Sequence, residues 1–169
     1  MAQGIPGLAG IEHFGITVPN LEEAKRFFIE ILGCDLVFDG GLIDSDPKLM
    51  TNNLSVSHSA KLKYSFLRCK TGPNIEIFEY TVPGQKEICP KNSDIGGHHL
   101  AFYVDDIDIA VKYLQTKNIT IQGDVNFIAE ETKRSECIRI VSCFSHLAAS
   151  EDINERDFSL NQIASFKNL

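Results

Sequence analysis

The 169 residues suffice for one domain with a full hydrophobic core, and their composition, 43% hydrophobic and 23% charged, is typical of a globular protein. A net charge of −7 argues against nucleic acid or an anionic membrane surface as the main partner. No apolar run in the sequence approaches the roughly 20 residues of a membrane helix. Five cysteines, an odd number without CxxC spacing, predict reduced thiols and a cytoplasmic location.

The chain starts with a predicted strand at 11–18 whose side chains alternate between two faces. One face is apolar and suits a covering helix. The other face is polar and sterically open, and it carries His13, Gly15 and Thr17. Asn20 is typical of the N-cap of the helix that follows, and Gly33 is typical of its end.

Three further strands are predicted in the first half. The first of them ends at the glycine-rich turn Asp39-Gly40-Gly41, and a turn at 71–74 separates the other two. The predicted strands span 34–38, 61–70 and 75–80. The first half should therefore form one βαβββ module.

The sequence of the first strand and its helix cap returns 86 residues later. His13 and His99 occupy equivalent positions of this repeat, and so do Asn20 and Asp106. A unit used only twice indicates two similar modules packed together, because solenoids need three or more repeats. The second half should therefore resemble the first.

The C-terminal part departs from the repeat. All glycines and prolines lie at or before Gly123, so the rest of the chain has no residue specialised for tight turns. Composition favours a strand at 137–144, but nothing predicts the turn into a final strand. We expect that strand to be displaced, irregular or absent, which would leave the second module incomplete. Within one structural domain, the expected organisation is a first module at 9–80, a linker at 81–94, a second module at 95–150 and a tail at 151–169.

The repeat points to a metal site. His13 and His99 each lie on the strand face away from their helix, and packing about a pseudo-twofold axis would bring them together. With Glu76, which shares a strand face with aromatic residues, they make a donor set of two imidazoles and one carboxylate. Such a set suits a single divalent metal ion: zinc, nickel, iron(II), manganese or cobalt. Each histidine alone is more often structural, and Glu76 could equally pair with a lysine or arginine.

Three stretches, 11–21, 74–80 and 97–107, resemble the vicinal oxygen chelate superfamily, which includes glyoxalase I, methylmalonyl-CoA epimerase, extradiol dioxygenases and bleomycin-resistance proteins. The resemblance implies an α+β fold in which two βαβββ modules form a half-open barrel around a divalent metal. It also implies that the ligands come from the first and fourth strands of each module. By this resemblance His13, Glu76 and His99 occupy three of the four ligand positions.

The fourth ligand position falls in the altered C-terminal part. The family's Pro-aromatic-Gly turn and its glutamate between leucines are absent from residues 138–151. Glu151 is the nearest carboxylate, and His146 is a second conceivable substitute. The catalytic candidates are therefore Glu76 and Glu151.

The resemblance implies a metal-dependent lyase or isomerase of the glyoxalase I type that acts on a small vicinal-oxygen metabolite through an enediolate-like intermediate. Glu76 or Glu151 would carry the proton. The alternatives are an extradiol-type dioxygenase and a metal-free small-molecule binding or resistance module. The expected partners are a small-molecule substrate and a second copy of the chain in a homodimer, with no nucleic acid and no membrane.

Overall fold

The computed structural model describes residues 4–44, 46–86, 90, 93–97, 99–129, 136–144 and 162–168. The chain divides into two units, Met1–Gln85 and Lys86–Leu169. The boundary between the units lies within residues 81–94, the segment predicted as a linker. Within the described ranges, no helix is long and apolar enough to cross a membrane.

The first unit is a four-stranded sheet with one helix on one face. Its elements are β1 (His13–Thr17), α1 (Leu21–Arg26), β2 (Asp35–Ile43), β3 (Lys61–Arg68) and β4 (Asn74–Thr81). The unit also contains two π-helical turns. Phe27–Ile31 directly follows α1, and Leu49–Asn53 lies between β2 and β3. The strand order is β1-β4-β3-β2, with β1 parallel to β4 and the other pairs antiparallel. This unit is a βαβββ module, as predicted.

Helix α1 begins where the sequence predicts. Asn20 accepts a hydrogen bond from the backbone N–H of Glu23 at 3.1 Å, as an N-cap does. Gly33, in the left-handed region at φ +71°, follows the first π-helical turn and ends the helical segment. The helix packs against β3 and β4, and the apolar side chains between them form the core. The buried members are Ile16, Val18, Leu21, Ala24, Phe27, Phe28, Leu67, Ile75 and Ile77.

Strand β2 runs through the segment predicted as a turn, so the predicted end at Asp39-Gly40-Gly41 is wrong. The pairing of β2 with β3 shifts between Leu36 and Phe38, and it shifts again between Asp39 and Gly41. Gly41 lies in the left-handed region at φ +69°. The glycines therefore belong to a β-bulge, in which the same conformational freedom that suits a turn bends a continuous strand.

A disulfide joins Cys34 to Cys69, whose Cα atoms are 4.3 Å apart. Cys34 directly precedes β2, and Cys69 directly follows β3. Because Asp35 pairs with Arg68 in the antiparallel register, the two neighbouring cysteines lie opposite each other. The prediction of reduced thiols is therefore wrong for this pair, since strand register and not sequence spacing brings them together.

The second unit repeats the topology of the first. Its elements are β5 (Ala101–Tyr103), α2 (Ile107–Thr116), β6 (Thr120–Ala129), β7 (Glu136–Phe144) and β8 (Gln162–Asn168). The strand order is β5-β8-β7-β6, with β5 parallel to β8. Asp106 caps α2 by accepting hydrogen bonds from the backbone N–H groups of Asp108 and Ile109 at 2.9 and 3.1 Å. The predicted α+β class with two βαβββ modules is confirmed.

Two features distinguish the C-terminal part of the second unit. Strand β6 continues past Gly123, the last glycine of the chain, through an irregularity between Gln122 and Asn126. Strand β8 lies at Gln162–Asn168, within the range 151–169 that the sequence analysis assigns to the tail. Because β8 pairs with both β5 and β7, it satisfies backbone groups that those strands would otherwise leave open. The last strand is displaced along the chain, and the module has four strands.

Candidate functional site

The face of the first sheet opposite α1 carries two of the residues predicted for the metal site, His13 and Glu76. His13 is the first residue of β1, and Glu76 lies in the neighbouring strand β4. In the parallel register Glu76 pairs with Gly15, two residues after His13. Since glycine has no side chain, nothing at position 15 separates the imidazole from the carboxylate. A Cβ at Gly15 would lie 2.9 Å from the Phe78 ring, so a larger residue there would require that ring to shift.

The side chains of His13 and Glu76 form a close pair. Nε2 of His13 lies 3.3 Å from Oε2 of Glu76, and the two side chains are 41% and 16% exposed. Burial raises the pKa of Glu76 above its ordinary value, and the nearby His13 partly opposes this shift. The carboxylate therefore holds a proton more tightly than a surface glutamate does.

The spacing of these two donors suits a shared divalent cation. Two ligand atoms about 2.1 Å from one ion, at a tetrahedral angle, lie about 3.4 Å apart. The observed separation of the imidazole nitrogen and the carboxylate oxygen is 3.3 Å. Both atom types are accepted by zinc and by the neighbouring transition metals. His13 and Glu76 therefore fit two positions of the predicted metal site.

Aromatic rings line the sheet beside this pair. The Phe66 ring meets the imidazole of His13 edge-on, with the ring centroids 5.4 Å apart. The Tyr64 ring lies 6.4 Å from that of Phe66 and is stacked with Phe78 at 6.5 Å between centroids. The register of β3 and β4 produces this arrangement, because it pairs Phe66 with Glu76 and Tyr64 with Phe78. We call these three partly buried residues the aromatic wall: Tyr64, Phe66 and Phe78.

The Tyr64 ring lies over Gly40 of the β2 bulge. A Cβ built on Gly40 would fall 2.1 Å from an atom of that ring. We therefore expect Gly40→Ala to lower the free energy of unfolding by about 1–3 kcal/mol, the usual cost of overpacking. Most of this cost should disappear in the Tyr64→Leu background, since the ring is then absent. Urea unfolding of the double-mutant cycle measures both effects.

Gly4→Ala is the control for this cycle, because a Cβ at Gly4 would meet no atom within 4 Å. Its free energy of unfolding should change by only a few tenths of a kcal/mol, as is usual for exposed sites. If Gly40→Ala costs the same with and without the Tyr64 ring, the contact with the ring is not the cause of the lost stability.

Three residues next to the pair are not predicted from the sequence. The carboxylate of Glu12 is hydrogen-bonded to Nδ1 of His13. Nδ2 of Asn74 donates to Glu12 at 2.7 Å, and Nε of Arg68 donates to Asn74 at 2.8 Å. The hydrogen bonds from His13 and Asn74 hold the pKa of Glu12 below its ordinary value. The sequence signal for Glu12 is its position directly before a histidine of a predicted strand, where a carboxylate is a natural hydrogen-bond partner for the ring.

The remaining predicted site residues belong to the second half of the chain. His99 lies two residues before β5, and its approach to the first-unit pair stays a prediction. Glu151 and His146 lie outside the described residues. Across the part of the chain that the structure describes, no group of three or more histidine, cysteine, aspartate or glutamate side chains is placed to hold a metal ion. Of the three predicted ligands, the structure brings His13 and Glu76 together.

The strand register identifies the position in the second unit that corresponds to Glu76. Gly15 of the first repeat corresponds to Ala101, 86 residues later. Gly15 pairs with Glu76 of β4, and Ala101 pairs with Gln162 of β8. The equivalent register position in the second unit therefore holds an amide residue and not an acidic one.

One protein family matches most of the chain in sequence. Residues 12–134 match the family described as the glyoxalase/bleomycin resistance protein/dioxygenase superfamily. The chain is 38% identical over 130 residues to 2-epi-5-epi-valiolone epimerase from an Actinomyces species, covering 76% of this chain and 70% of that protein. A glyoxalase family protein from Bacillus cereus is similar in structure with a TM-score of 0.65 and 18% identity, covering 98% of this chain and 99% of that one. The trypanothione-dependent glyoxalase I of Leishmania major follows with a TM-score of 0.52 and 15% identity, covering 95% and 88% of the two chains. At these identities the two structures show the fold alone.

Proposed function

The chain belongs to the glyoxalase/bleomycin resistance protein/dioxygenase superfamily, and from this premise we propose that it is a metal-dependent isomerase. It would epimerise a carbon atom next to the carbonyl group of a small polyhydroxylated ketone. The observation that carries the proposal is the pair of His13 and Glu76, whose imidazole and partly buried carboxylate lie 3.3 Å apart. The 38% identity to an epimerase supports isomerisation over the lyase reaction.

The metal would be held by His13 and Glu76, with His99 proposed as a third ligand. When bound, a divalent ion supplies Lewis-acid stabilisation of the negative charge that develops on the carbonyl oxygen. Zinc, nickel, iron(II), manganese and cobalt all suit imidazole and carboxylate donors. The protein's own contribution is to hold these donors on one rigid sheet face, where neighbouring strands fix their separation.

Glu76 is the proposed proton carrier. Its carboxylate would take the proton from the carbon next to the carbonyl, while the electron pair of the C–H bond moves into the carbonyl to form an enolate. Water on the opposite face of that carbon would donate the returning proton and give the epimer, and Glu76 would release the abstracted proton to solvent, so no atom is gained or lost overall.

The aromatic wall would hold the carbon skeleton of the substrate. A polyhydroxylated ring or chain has faces lined by C–H groups, and such faces pack on aromatic rings while the hydroxyl groups keep polar partners. Phe66, which contacts His13, would place the reacting carbon near the proton carrier. Tyr64 adds a hydroxyl group at the far end of the wall, suited to a substrate that is itself rich in hydroxyl groups.

Isotope exchange tests the proposed function. The metal-loaded protein is incubated with 2-epi-5-epi-valiolone in D2O, and proton NMR follows the hydrogen next to the carbonyl. We expect deuterium to replace this hydrogen and the epimer to accumulate. Neither should occur after EDTA has removed the metal, because the carbonyl oxygen then lacks its Lewis acid.

Three outcomes would contradict the proposal. Conversion of the hemithioacetal of methylglyoxal and glutathione would indicate the glyoxalase-type lyase. Oxygen consumption with a catechol would indicate the extradiol-type dioxygenase. Tight binding of the ketone without exchange, with or without metal, would indicate the small-molecule binding module. The homodimer and the cytoplasmic location stay predictions.

A further inference from the structure

We propose that Asn74 is a positioning residue that orients the imidazole of His13 through the carboxylate of Glu12. The inference rests on the proposed function, because it concerns a histidine that would hold the metal. His13 of β1 pairs with Asn74 of β4, and Asn74 pairs with Arg68 of β3. Three neighbouring strands therefore contribute one polar residue each to a row across the sheet.

The two nitrogens of the His13 ring have different neighbours. Nδ1 is hydrogen-bonded to Oε2 of Glu12, whereas Nε2 faces Oε2 of Glu76 at 3.3 Å. Because an ionised carboxylate only accepts hydrogen bonds, the bond to Glu12 requires the hydrogen on Nδ1. In the neutral ring the lone pair is then on Nε2, the nitrogen that faces the candidate site. Partners of this kind are what fix the tautomer and the ring orientation of metal-binding histidines.

Glu12 needs a restraint of its own to act in this way. Its side chain is 70% exposed, and an exposed carboxylate samples several rotamers unless other groups hold it. Asn74 supplies two hydrogen bonds: its Nδ2 donates to Oε1 of Glu12 at 2.7 Å, and its backbone N–H donates to the Glu12 carbonyl at 2.9 Å. Asn74 is only 5% exposed, so a buried strand residue restrains the exposed Glu12.

Arg68 determines which way the Asn74 amide points. Nε of Arg68 donates to Oδ1 of Asn74 at 2.8 Å. Since a guanidinium only donates, the amide oxygen must face Arg68, and the amide NH2 group must then face Glu12. The donor and acceptor roles are therefore determined from Arg68 through Asn74 and Glu12 to His13.

The sharpest test is Asn74→Asp. Aspartate has nearly the same shape and still accepts from Arg68, but it cannot donate to Glu12 and repels its carboxylate. Nitrogen-15 NMR of the metal-free protein at a pH of about 8.5, where ordinary histidines are neutral, shows which ring nitrogen of His13 carries the hydrogen. We expect the Nδ1–H form in the natural protein and a mixture of both forms in the variant. The zinc affinity, measured by titration calorimetry, should fall about 10- to 100-fold.

Asn53→Asp is the matched control, because it makes the same change at an exposed position in the second π-helical turn. It should leave the His13 signals and the zinc affinity unchanged. Glu12→Gln is the second variant and carries the test if Asn74→Asp fails to fold, since Glu12 is exposed. Glutamine has one accepting oxygen where Glu12 accepts from both Asn74 and His13, so with its oxygen on Asn74 its NH2 group would face Nδ1, and both the Nδ1–H population and the zinc affinity should fall.

Unchanged nitrogen signals and zinc affinity in a folded Asn74→Asp protein would overturn the proposal, and so would the same result in Glu12→Gln if Asn74→Asp does not fold. Failure of the proposed function has a different signature. In that case deuterium exchange is absent although the metal-free natural protein shows His13 in the Nδ1–H form.

Discussion

His13→Ala should abolish stoichiometric binding of a divalent metal. The natural protein should retain about one equivalent of zinc after dialysis, as a protein with a dedicated site does. The substitution removes the imidazole nitrogen that lies 3.3 Å from Oε2 of Glu76. The Glu76 carboxylate then has no imidazole beside it to share a metal ion. Elemental analysis of the dialysed proteins by mass spectrometry should show near-zero zinc in the variant.

His58→Ala is the control for this measurement. His58 is exposed in the segment between the second π-helical turn and β3, away from the row of residues around His13. The variant should keep the metal content of the natural protein. Equal zinc in the His13 and His58 variants would refute the assignment of His13, provided that both proteins show the circular dichroism spectrum of the natural chain.

Glu76→Gln should lower the rate of deuterium exchange by about 10²- to 10⁴-fold, the usual contribution of a positioned acid–base group. Glutamine keeps the size of the side chain and one oxygen that can face a metal, but an amide cannot take up the substrate proton. The measurement is the exchange rate by proton NMR at saturating metal. Zinc affinity determined in parallel separates loss of the base from loss of the metal.

The control is Glu79→Gln in the same strand on the opposite face. Glu79 accepts hydrogen bonds from the backbone N–H of Leu21 and from Nζ of Lys63, both at 2.8 Å, and the oxygen of a glutamine can still accept. Exchange in this variant should stay close to the natural rate. A Glu76→Gln protein that keeps more than about a tenth of the natural rate would show that another group carries the proton, since a positioned base contributes at least about 100-fold.

Features encoded within a few residues of sequence could be predicted. Asn20 and Asp106 cap their helices because a short polar side chain at that position satisfies backbone N–H groups of the next turn. The two-residue alternation of β1 and β4, with the apolar residues of each strand facing the helix, likewise puts His13 and Glu76 on the opposite sheet face. Local patterns of this kind therefore predict the first module and, within the candidate site, His13 and Glu76.

Features that depend on register between distant segments could not be predicted. The hydrogen bond from Asn74 to Glu12 joins residues 62 positions apart, and no local pattern specifies that pairing. The disulfide of Cys34 has the same cause, because the β2–β3 register brings Cys69 opposite to it. Strand β8 comes from a segment without glycine or proline, and only its pairing with β5 and β7 defines it as part of the sheet.

The register of β8 shows how the two copies of an internal duplication have diverged. The backbone pairing between the first and last strands is the same in both units, yet Glu76 in one corresponds to Gln162 in the other. Glutamate and glutamine are almost equal in size, so the exchange leaves the architecture intact while it removes a negative charge and a proton-accepting group. The strand order and this register recur in the second unit, whereas an ionisable residue at this position occurs only in the first. Because burial raises the pKa of Glu76, its ionised carboxylate makes folding less favourable than a neutral amide of the same size would, so the first copy carries its ionisable group at a cost in stability.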